Sequence, residues 1–357
     1  MEIYRIETKM NSLENILCKK YKKKYGVFTG SGTAALYLAF KALNMQDKKV
    51  IFPAISCTNP VNAAIFAGYD VEFCDINLDN YTIDVNMLEK MLDTGLYGVV
   101  VPTHIYGYHC DIDKINNICK ERNIIVIEDA AQTYKVTEAN ISIVSFGHTK
   151  IFETELGGGI AFTDDEILYR EMKNNQKMLN KRPENSDELF DKYREEYYRI
   201  VKNSKDEYEK CNRLKRLQLE NKDTFIYDLN ENDEILEKLK LEDEIIKDRI
   251  IKKNLYDKFL KRKYVTIPKE KEKVFWRYTF IYKGNRDKLL EDARKEGIDI
   301  SSWYPSLSMI YNNIRLKNAD ILQNGVVNLW ITKDHSEERI KKEIDILNRL
   351  MEANMYE

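Results

Sequence analysis

Three short groups of residues carry side chains that could together hold and tune one cofactor. They are Ser31-Gly32-Thr33, Asp129-Ala130-Ala131-Gln132 and the run from Ser145 to Lys150, and each follows a predicted strand. The first could bind a phosphate at a helix start, the second could place a carboxylate beside a protonated ring nitrogen, and the third offers a lysine amine for a Schiff base. A protein holds pyridoxal phosphate (PLP) by these three contacts.

Each group also has a common structural explanation when it is taken alone. Lys150 could be one surface lysine among the 57 basic residues, since a lysine becomes a good nucleophile only where burial or a nearby cation lowers its pKa. Asp129 could cap a helix with Gln132 as its capping-box partner, and Ser145 could bond its own backbone. The order and spacing of the three groups favour the cofactor site.

The elements that must position these groups alternate between strands and helices from Gly26 to about Thr163. Residues 124–127 are apolar on both faces, as expected of a strand covered by helices on both sides. This alternation predicts an α/β fold, with a mostly parallel mixed sheet between helices. Ligands of such sheets bind beyond the carboxyl ends of the strands, where all three groups lie.

After Asp164 the composition changes. Residues 167–261 are rich in charged side chains, with apolar residues at helical spacing, which predicts long and partly exposed helices. A C-terminal unit follows, with a strand over Tyr278–Tyr282. We expect a large PLP-binding domain over residues 1–240, with a charged helical segment over about 167–240, and a small C-terminal α/β domain over 241–357.

Composition narrows the classes of partner. The net charge of −2 provides no concentrated positive field for nucleic acid, and no apolar run approaches the ~20 residues of a membrane span. The first 26 residues lack the apolar core of a signal peptide, so we expect a cytoplasmic protein whose six scattered cysteines are free thiols. The four histidines show no metal-ligand spacing, so we expect no metal.

Six segments carry a resemblance to a known family. They are SGTAALYLA (31–39), FPAISCTNPVNAA (52–64), PTHIYGYHCDID (102–113), VIEDAAQ (126–132), SFGHTK (145–150) and GIDISSWYP (297–305). Together they resemble the DegT/DnrJ/EryC1/StrS family of PLP-dependent aminotransferases, of fold type I, which aminate keto groups on nucleotide-linked sugars. The similarity is strongest from Gly30 to Gly159.

The resemblance implies roles for single residues. Lys150 would form the Schiff base and then move a proton, Asp129 would pair with the pyridine nitrogen, and Gln132 would lie near the phenolic oxygen, with Ala131 against the ring. The residues expected at the phosphate are Gly32, Thr33, Ala34 and Ser145. Relatives that remove a sugar hydroxyl carry histidine at the Schiff-base position, so Lys150 argues for amino transfer.

The same resemblance implies a ping-pong reaction and a homodimer. The amino donor would be glutamate and the acceptor a keto sugar, in surface glycan biosynthesis, with active sites at the subunit interface. The alternatives are an aminotransferase for a small phosphorylated ketone, and a non-catalytic relative that acts as a sensor or scaffold. Candidate substrate contacts are His104, Tyr106, His148, Trp303 and Tyr304, although packing at a domain interface would explain the last two equally well.

Four features depart from the family pattern. The lead before residue 11 is short, and Cys57 stands where an aromatic residue commonly stacks on the cofactor, a loss of ~1 kcal/mol of stacking. A GYNYR-like motif that reaches the neighbouring subunit's phosphate is absent, and residues 223–226 stand there, with Thr224 as the candidate substitute. Residues 167–222 carry no family motif, and could form a lid, a dimer arm or a docking surface.

Overall fold

A computed structural model describes residues 12–269 and 274–355 of the 357-residue chain. Within these ranges the larger sheet has seven strands in the order β1-β7-β6-β5-β4-β2-β3. The strands are β1 Tyr25–Thr29, β2 Lys49–Pro53, β3 Val71–Cys74, β4 Tyr97–Val100, β5 Ile125–Asp129, β6 Ile141–Ser145 and β7 Gly159–Thr163. Only β7 runs antiparallel to its neighbours in this sheet, which confirms the predicted mostly parallel α/β architecture.

Helices cover both faces of this sheet. They are α1 Leu13–Tyr21, α2 Gly32–Leu43, α3 Thr58–Phe66, α4 Val85–Leu92 and α5 Ile112–Glu121, with a 3-10 turn at Ile105–Gly107. Asp84 caps α4 and Asp111 caps α5, each by accepting backbone amides of the first turn. Apolar clusters pack on the two faces of the sheet, so the strands between them are buried on both sides.

The charged segment is helical, as predicted. It forms α6 Glu166–Gln176, α7 Ser186–Asn203, α8 Glu207–Glu220, α9 Lys222–Phe225, α10 Asp233–Lys240 and α11 Glu242–Phe259. Most of its lysines and acids are exposed, whereas Cys211, Leu214 and Leu217 of α8 are buried. This apolar face turns α8 inward, against α3 and the C-terminal part of the chain.

The C-terminal part of the described chain contains a four-stranded antiparallel sheet in the order β10-β11-β9-β8. Its elements are β8 Val265–Thr266, β9 Tyr278–Tyr282, α12 Arg286–Lys295, β10 Ile300–Ser301, α13 Leu307–Asn312, α14 Lys317–Gly325, β11 Val326–Leu329 and α15 Glu337–Ala353, with a 3-10 turn at Arg262–Tyr264. One apolar cluster runs from the larger sheet into this part, so the boundary at residue 240 stays a prediction. None of the helices in the described ranges has the length and apolar character needed to cross a membrane.

Candidate active site

The carboxyl end of β5 carries a buried acid. Asp129 is only 3% exposed; its Oδ1 accepts the Ala131 amide at 3.0 Å, and the Thr103 hydroxyl lies 3.5 Å from its Oδ2. Burial raises the pKa of Asp129, and the Ala131 amide, the Lys150 amine and His104 offset this only in part. A protonated ring nitrogen at this carboxylate would stabilise its charged form.

The lysine of the third group lies close to this acid. Lys150 is half-buried in the loop after β6, and its backbone amide donates to the Gly147 carbonyl at 3.1 Å. The loop is held at Thr149, whose carbonyl accepts the Trp276 indole N–H at 2.5 Å. The Lys150 amine acts electrostatically on both Asp129 and the Cys57 thiol, and the loop that carries it follows β6, the strand next to β5.

A cradle for an anion forms where β1 meets α2. The Ser31 hydroxyl caps the helix by accepting a hydrogen bond from the Ala34 amide at 3.0 Å. The Gly32 and Thr33 amides of the first turn take no part in this cap. A Cβ on Gly32 would lie 3.0 Å from Ser145 Cβ and 3.2 Å from its hydroxyl oxygen. Because Gly32 lacks that Cβ, the Ser145 hydroxyl lies at the positive end of the helix dipole, an arrangement that fits a phosphate.

A buried polar network fixes Gln132. Its Oε1 accepts the Tyr106 amide at 2.7 Å, and its Nε2 donates to the Tyr304 hydroxyl at 3.0 Å. The Tyr106 hydroxyl in turn donates to the Trp303 carbonyl at 2.6 Å and accepts the Tyr304 amide at 3.0 Å. The C-terminal segment around Trp303 is therefore tied to the end of β5 through the buried Tyr106, whose contact with substrate stays a prediction.

His104 is a buried side chain that holds neighbouring backbone and the β5 residue Glu128 in place. It has no exposed surface, its Nδ1 accepts the Cys110 amide at 3.1 Å, and its Nε2 lies 2.8 Å from Glu128 Oε1. The accepted amide puts the ring proton on Nε2, which donates to Glu128. Burial alone would raise the pKa of Glu128, but the hydrogen bonds from His104 and the Thr137 amide hold it below its usual value. His104 thus stabilises β5 and also acts electrostatically on Asp129, and its contact with substrate stays a prediction.

The half-buried Cys57 precedes α3 and lies beneath the α7–α8 helices. Burial raises the pKa of its thiol, and the Lys150 amine counters this only in part. Tyr193 and Tyr197 of α7 lie near Cys57, and the Tyr197 ring packs against Trp303 with centroids 5.6 Å apart. Aromatic side chains therefore do reach this region, although they come from α7.

The Gln218 side chain of α8 fastens these helices to α3. Its Oε1 accepts the Thr58 hydroxyl at 3.0 Å and the Asn62 amide at 2.9 Å, while its Nε2 donates to the Tyr193 hydroxyl at 2.6 Å. We call α7 and α8 together the helical cover. The segment for which no family motif was found thus lies over the Cys57 side of the candidate site.

The remaining residues that the sequence predicted for the site lie at the edge of the candidate active site. His148 is exposed, two residues before Lys150, and Trp303 is half-buried. Residues 223–226, including Thr224, lie beside the anion cradle of their own chain, because the Phe225 carbonyl accepts the Ser31 hydroxyl and the Tyr227 carbonyl accepts the Gly30 amide. Whether Thr224 replaces a contact to a second subunit stays a prediction.

Sequence reasoning missed three side chains near this site. Tyr197 and Gln218 lie in helices read only as a solvated charged segment, and Arg277 follows Trp276 just before β9. Tyr193 and Tyr197 are four residues apart, so they lie on one face of α7. This spacing could have predicted that the face packs against the rest of the protein. The Trp-Arg pair before an aromatic strand was a comparable signal for Arg277.

Comparison with known proteins gives both family and fold likenesses. The sequence model described as the DegT/DnrJ/EryC1/StrS aminotransferase family matches residues 3–204. The UDP-4-amino-4,6-dideoxy-N-acetyl-beta-L-altrosamine transaminase of Campylobacter jejuni is 32% identical over 172 residues, 45% of each chain. The 3-oxo-glucose-6-phosphate:glutamate aminotransferase of Bacillus subtilis is 32% identical over 164 residues, 44% of this chain and 37% of that protein. The chain thus spans less than half the length of the curated relatives it matches.

The structural likeness extends further along the chain. NtdA from Bacillus subtilis, solved with bound cofactor PMP, superposes with a TM-score of 0.71 at 21% identity, covering 94% of this chain and 76% of NtdA. Such a match shows a shared fold, and it includes the charged helices and the C-terminal sheet. The predicted fold class is therefore confirmed over nearly the whole chain.

Proposed function

Because this chain belongs to the DegT/DnrJ/EryC1/StrS aminotransferase family, we propose that it is a PLP-dependent aminotransferase that transfers an amino group from glutamate to a keto sugar. The observation that carries the proposal is the grouping of Lys150, buried Asp129 and the Gly32–Ser145 cradle at one edge of the sheet. These are an amine, a carboxylate and an anion site, the donor set that PLP requires.

Each group of residues would contact a different part of the cofactor. The Gly32 and Thr33 amides with the Ser145 hydroxyl would hold the phosphate, and Ala131 would pack against the ring. The Asp129 carboxylate would accept a hydrogen bond from the protonated ring nitrogen, and the Gln132 amide would lie near the phenolic oxygen. When bound, PLP supplies an electron sink for the bond broken at the substrate carbon.

Lys150 has two tasks in this proposal. Its Nζ would hold the cofactor covalently, and when free it would move a proton to and from the reacting carbon. The Trp276–Thr149 hydrogen bond holds the loop that carries it. Tyr106 and Tyr304 keep Gln132 oriented, so the C-terminal part must be docked for the site to be complete.

For the acceptor we propose a nucleotide-linked keto sugar, used in surface glycan biosynthesis. The altrosamine transaminase, whose name gives a UDP-linked sugar, supports this choice. A smaller phosphorylated ketone is the second candidate, because another relative is named for 3-oxo-glucose-6-phosphate and because the helical cover lies over the Cys57 side of the site.

The test uses colour, borohydride and product formation. Purified protein should take up PLP and absorb as a Schiff base, borohydride should bleach it and fix the cofactor on Lys150, and Lys150→Ala should prevent the fixation. With glutamate present, 2-oxoglutarate should form when nucleotide-linked keto sugars are added. The same assay with a panel of small phosphorylated ketones separates the two candidate acceptors, because only the true acceptor should give 2-oxoglutarate. A reducible Schiff base in Lys150→Ala would refute the assignment of Lys150.

We also propose a cytoplasmic homodimer with active sites at the subunit interface. The proposal follows the family pattern, in which the segment corresponding to residues 223–226 reaches across to the partner; in this chain the segment lies beside the anion cradle of its own subunit. Light scattering on the PLP-loaded protein should give twice the 42.2 kDa chain mass. A monomer that transaminates at full rate would refute it.

A further inference from the structure

The loop that carries Lys150 contains a strained turn. Residues 147–150 form a β-turn, closed by the Lys150 amide, which donates to the Gly147 carbonyl at 3.1 Å. Thr149, the third residue of this turn, has a φ of +69°. A positive φ at that position favours glycine or asparagine, because a side chain branched at Cβ crowds the backbone there. Threonine therefore holds this conformation at a cost in free energy, which other contacts must offset.

Two side chains hold the backbone of Thr149, one on each side of the residue. Its amide donates to Glu153 Oε2 at 2.9 Å, and its carbonyl accepts the Trp276 indole N–H at 2.5 Å. The bond to the Glu153 carboxylate is charge-assisted, which makes it one of the stronger kinds of hydrogen bond. We call Glu153 and Trp276 together the loop brace. Its two hydrogen bonds offset the strain at Thr149.

Both members of the loop brace are linked to one buried arginine. Arg249 of α11 is 4% exposed, and its Nη1 donates to the carbonyls of Phe275 at 3.1 Å and Trp276 at 2.9 Å. Burial lowers the pKa of Arg249 to about 10, and Glu153 is the acid that counters this fall most. Arg249 therefore stays charged at neutral pH. Because it holds the backbone of Trp276 and attracts the Glu153 carboxylate, the two contacts to Thr149 share one support.

The braced residue directly precedes Lys150. The φ and ψ of Thr149 set the orientation of the next peptide plane, and thus the direction in which the Lys150 side chain leaves the loop. A relaxed Thr149, with the negative φ that threonine prefers, would point that side chain in another direction. The direction matters because a misplacement of about 1 Å at a reacting group can lower a rate by about a hundredfold.

We propose that Glu153 is a positioning residue for Lys150. Its carboxylate, with the Trp276 indole on the other side, holds Thr149 in the left-handed conformation and so directs the Lys150 amine toward the cofactor and the reacting carbon. This inference rests on the proposed function. A contact that served stability alone would favour a relaxed turn, whereas the loop brace maintains a conformation that threonine disfavours.

Amide hydrogen exchange tests the loop brace without the reaction. In protein stripped of PLP, Glu153→Ala removes the acceptor of the Thr149 amide, so the peptide that contains residues 147–153 should exchange at least about tenfold faster, measured by mass spectrometry. Glu153→Gln keeps an oxygen acceptor and should exchange at nearly the wild-type rate. Glu155→Ala removes an exposed carboxylate of the same loop and should behave as wild type in this and the later measurements.

Kinetics test the effect on Lys150. In PLP-loaded protein, Glu153→Ala should lower the maximal rate of the half-reaction with glutamate about tenfold, followed by loss of the Schiff-base absorbance. The glutamate concentration that gives half this rate should change less than about twofold, because the loop brace acts on the amine that moves the proton and not on donor binding. The rate of Schiff-base formation with added PLP should fall with the maximal rate.

Two further variants separate positioning from general stability. Asparagine adopts a positive φ more readily than threonine, so Thr149→Asn in the Glu153→Ala protein should recover most of the lost rate. Trp276→Phe loses the hydrogen bond on the other side of Thr149 but keeps most of the packed ring. It should give the same kinetic pattern as Glu153→Ala, and it serves if that variant does not fold.

Failure of this inference can be told from failure of the proposed function. Wild-type protein that takes up no PLP, or that does not react with glutamate once loaded, overturns the proposed function. Faster exchange in Glu153→Ala with an unchanged half-reaction would make the loop brace a structural contact only and overturn the inference. Equal losses of rate in Glu153→Gln and Glu153→Ala would assign the effect to the charge near Arg249 and overturn it too, as would a failure of Thr149→Asn to restore the rate.

Discussion

The Gln132 amide donates to the Tyr304 hydroxyl at 3.0 Å, and this bond joins two residues 172 positions apart in the sequence. Both side chains are buried, so each depends on the other for a hydrogen-bond partner. One end of the bond follows β5, and the other belongs to the segment between β10 and α13. The orientation of the amide that we propose lies near the cofactor is therefore set by the docking of the C-terminal part.

Removing this hydroxyl should affect both stability and cofactor binding. Tyr304→Phe leaves the Gln132 Nε2 buried without its partner, so the free energy of unfolding in urea should fall by about 1–3 kcal/mol. PLP affinity, measured by absorbance titration, should fall as well, because Gln132 is then less well oriented.

A matched tyrosine separates the two effects. The Tyr69 hydroxyl accepts the Met45 amide at 2.9 Å and donates to the Phe40 carbonyl at 3.0 Å, within the core of the larger sheet. Tyr69→Phe should destabilise the protein by a similar amount without changing PLP affinity. Equal losses of PLP affinity in both variants would show that the Tyr304 effect is only a general loss of stability.

Asp129→Asn should have opposite effects on the protein without and with PLP. Burial raises the pKa of this carboxyl, so its ionised form costs stability at pH 7, and that cost disappears as the pH falls through the raised folded value. The neutral asparagine removes the cost, so protein stripped of PLP should unfold at a higher urea concentration than wild type at pH 7. PLP-dependent turnover should fall at least about tenfold, since the charged bond to the ring nitrogen is lost.

Asp75 provides the contrast for this prediction. It is also buried, but it accepts the backbone amides of Ile76, Asn318 and Ala319 at 2.9 Å. Asp75→Asn should therefore destabilise the protein both with and without PLP, since an amide side chain satisfies those donors less well. If Asp129→Asn also destabilises the stripped protein, its carboxylate already has adequate partners without the cofactor.

The end of β5 and the groups around it could be predicted because the information is local. A strand that is apolar on both faces, followed by Asp129, identifies the sheet edge, and the helix start at Gly32 has its cap directly before it. The partners that complete the site are not local. Gln218 contacts Asn62 across 156 residues, and nothing in the charged pattern of α8 encodes that pairing. Arg277 was missed for the same reason, because its contact with the Trp330 ring forms only when β9 and β11 pair.

The protonation state of Cys57 gives a prediction about reactivity. Because burial raises the pKa of its thiol, we expect slow modification by iodoacetamide at pH 8, measured by peptide mass spectrometry. The Lys150 amine lowers that pKa in part, so Lys150→Ala should slow the reaction further. Faster labelling in Lys150→Ala would indicate that the covalently attached cofactor shields Cys57, a result that labelling of stripped wild type would check.

The helical cover should open more readily when its polar link to α3 is removed. Gln218→Ala leaves the Thr58 hydroxyl, the Asn62 amide and the Tyr193 hydroxyl without their shared partner, at a cost of about 2 kcal/mol. Because Gln218 joins the cover to α3, while α8 also packs on α13, we expect trypsin to cleave α7–α8 several-fold faster, followed by gel and mass spectrometry. The exposed Gln46 provides the control, since Gln46→Ala should leave the cleavage rate unchanged. If Gln218→Ala instead unfolds the whole chain with one transition and no selective cleavage, the cover is an integral part of the core and does not open separately.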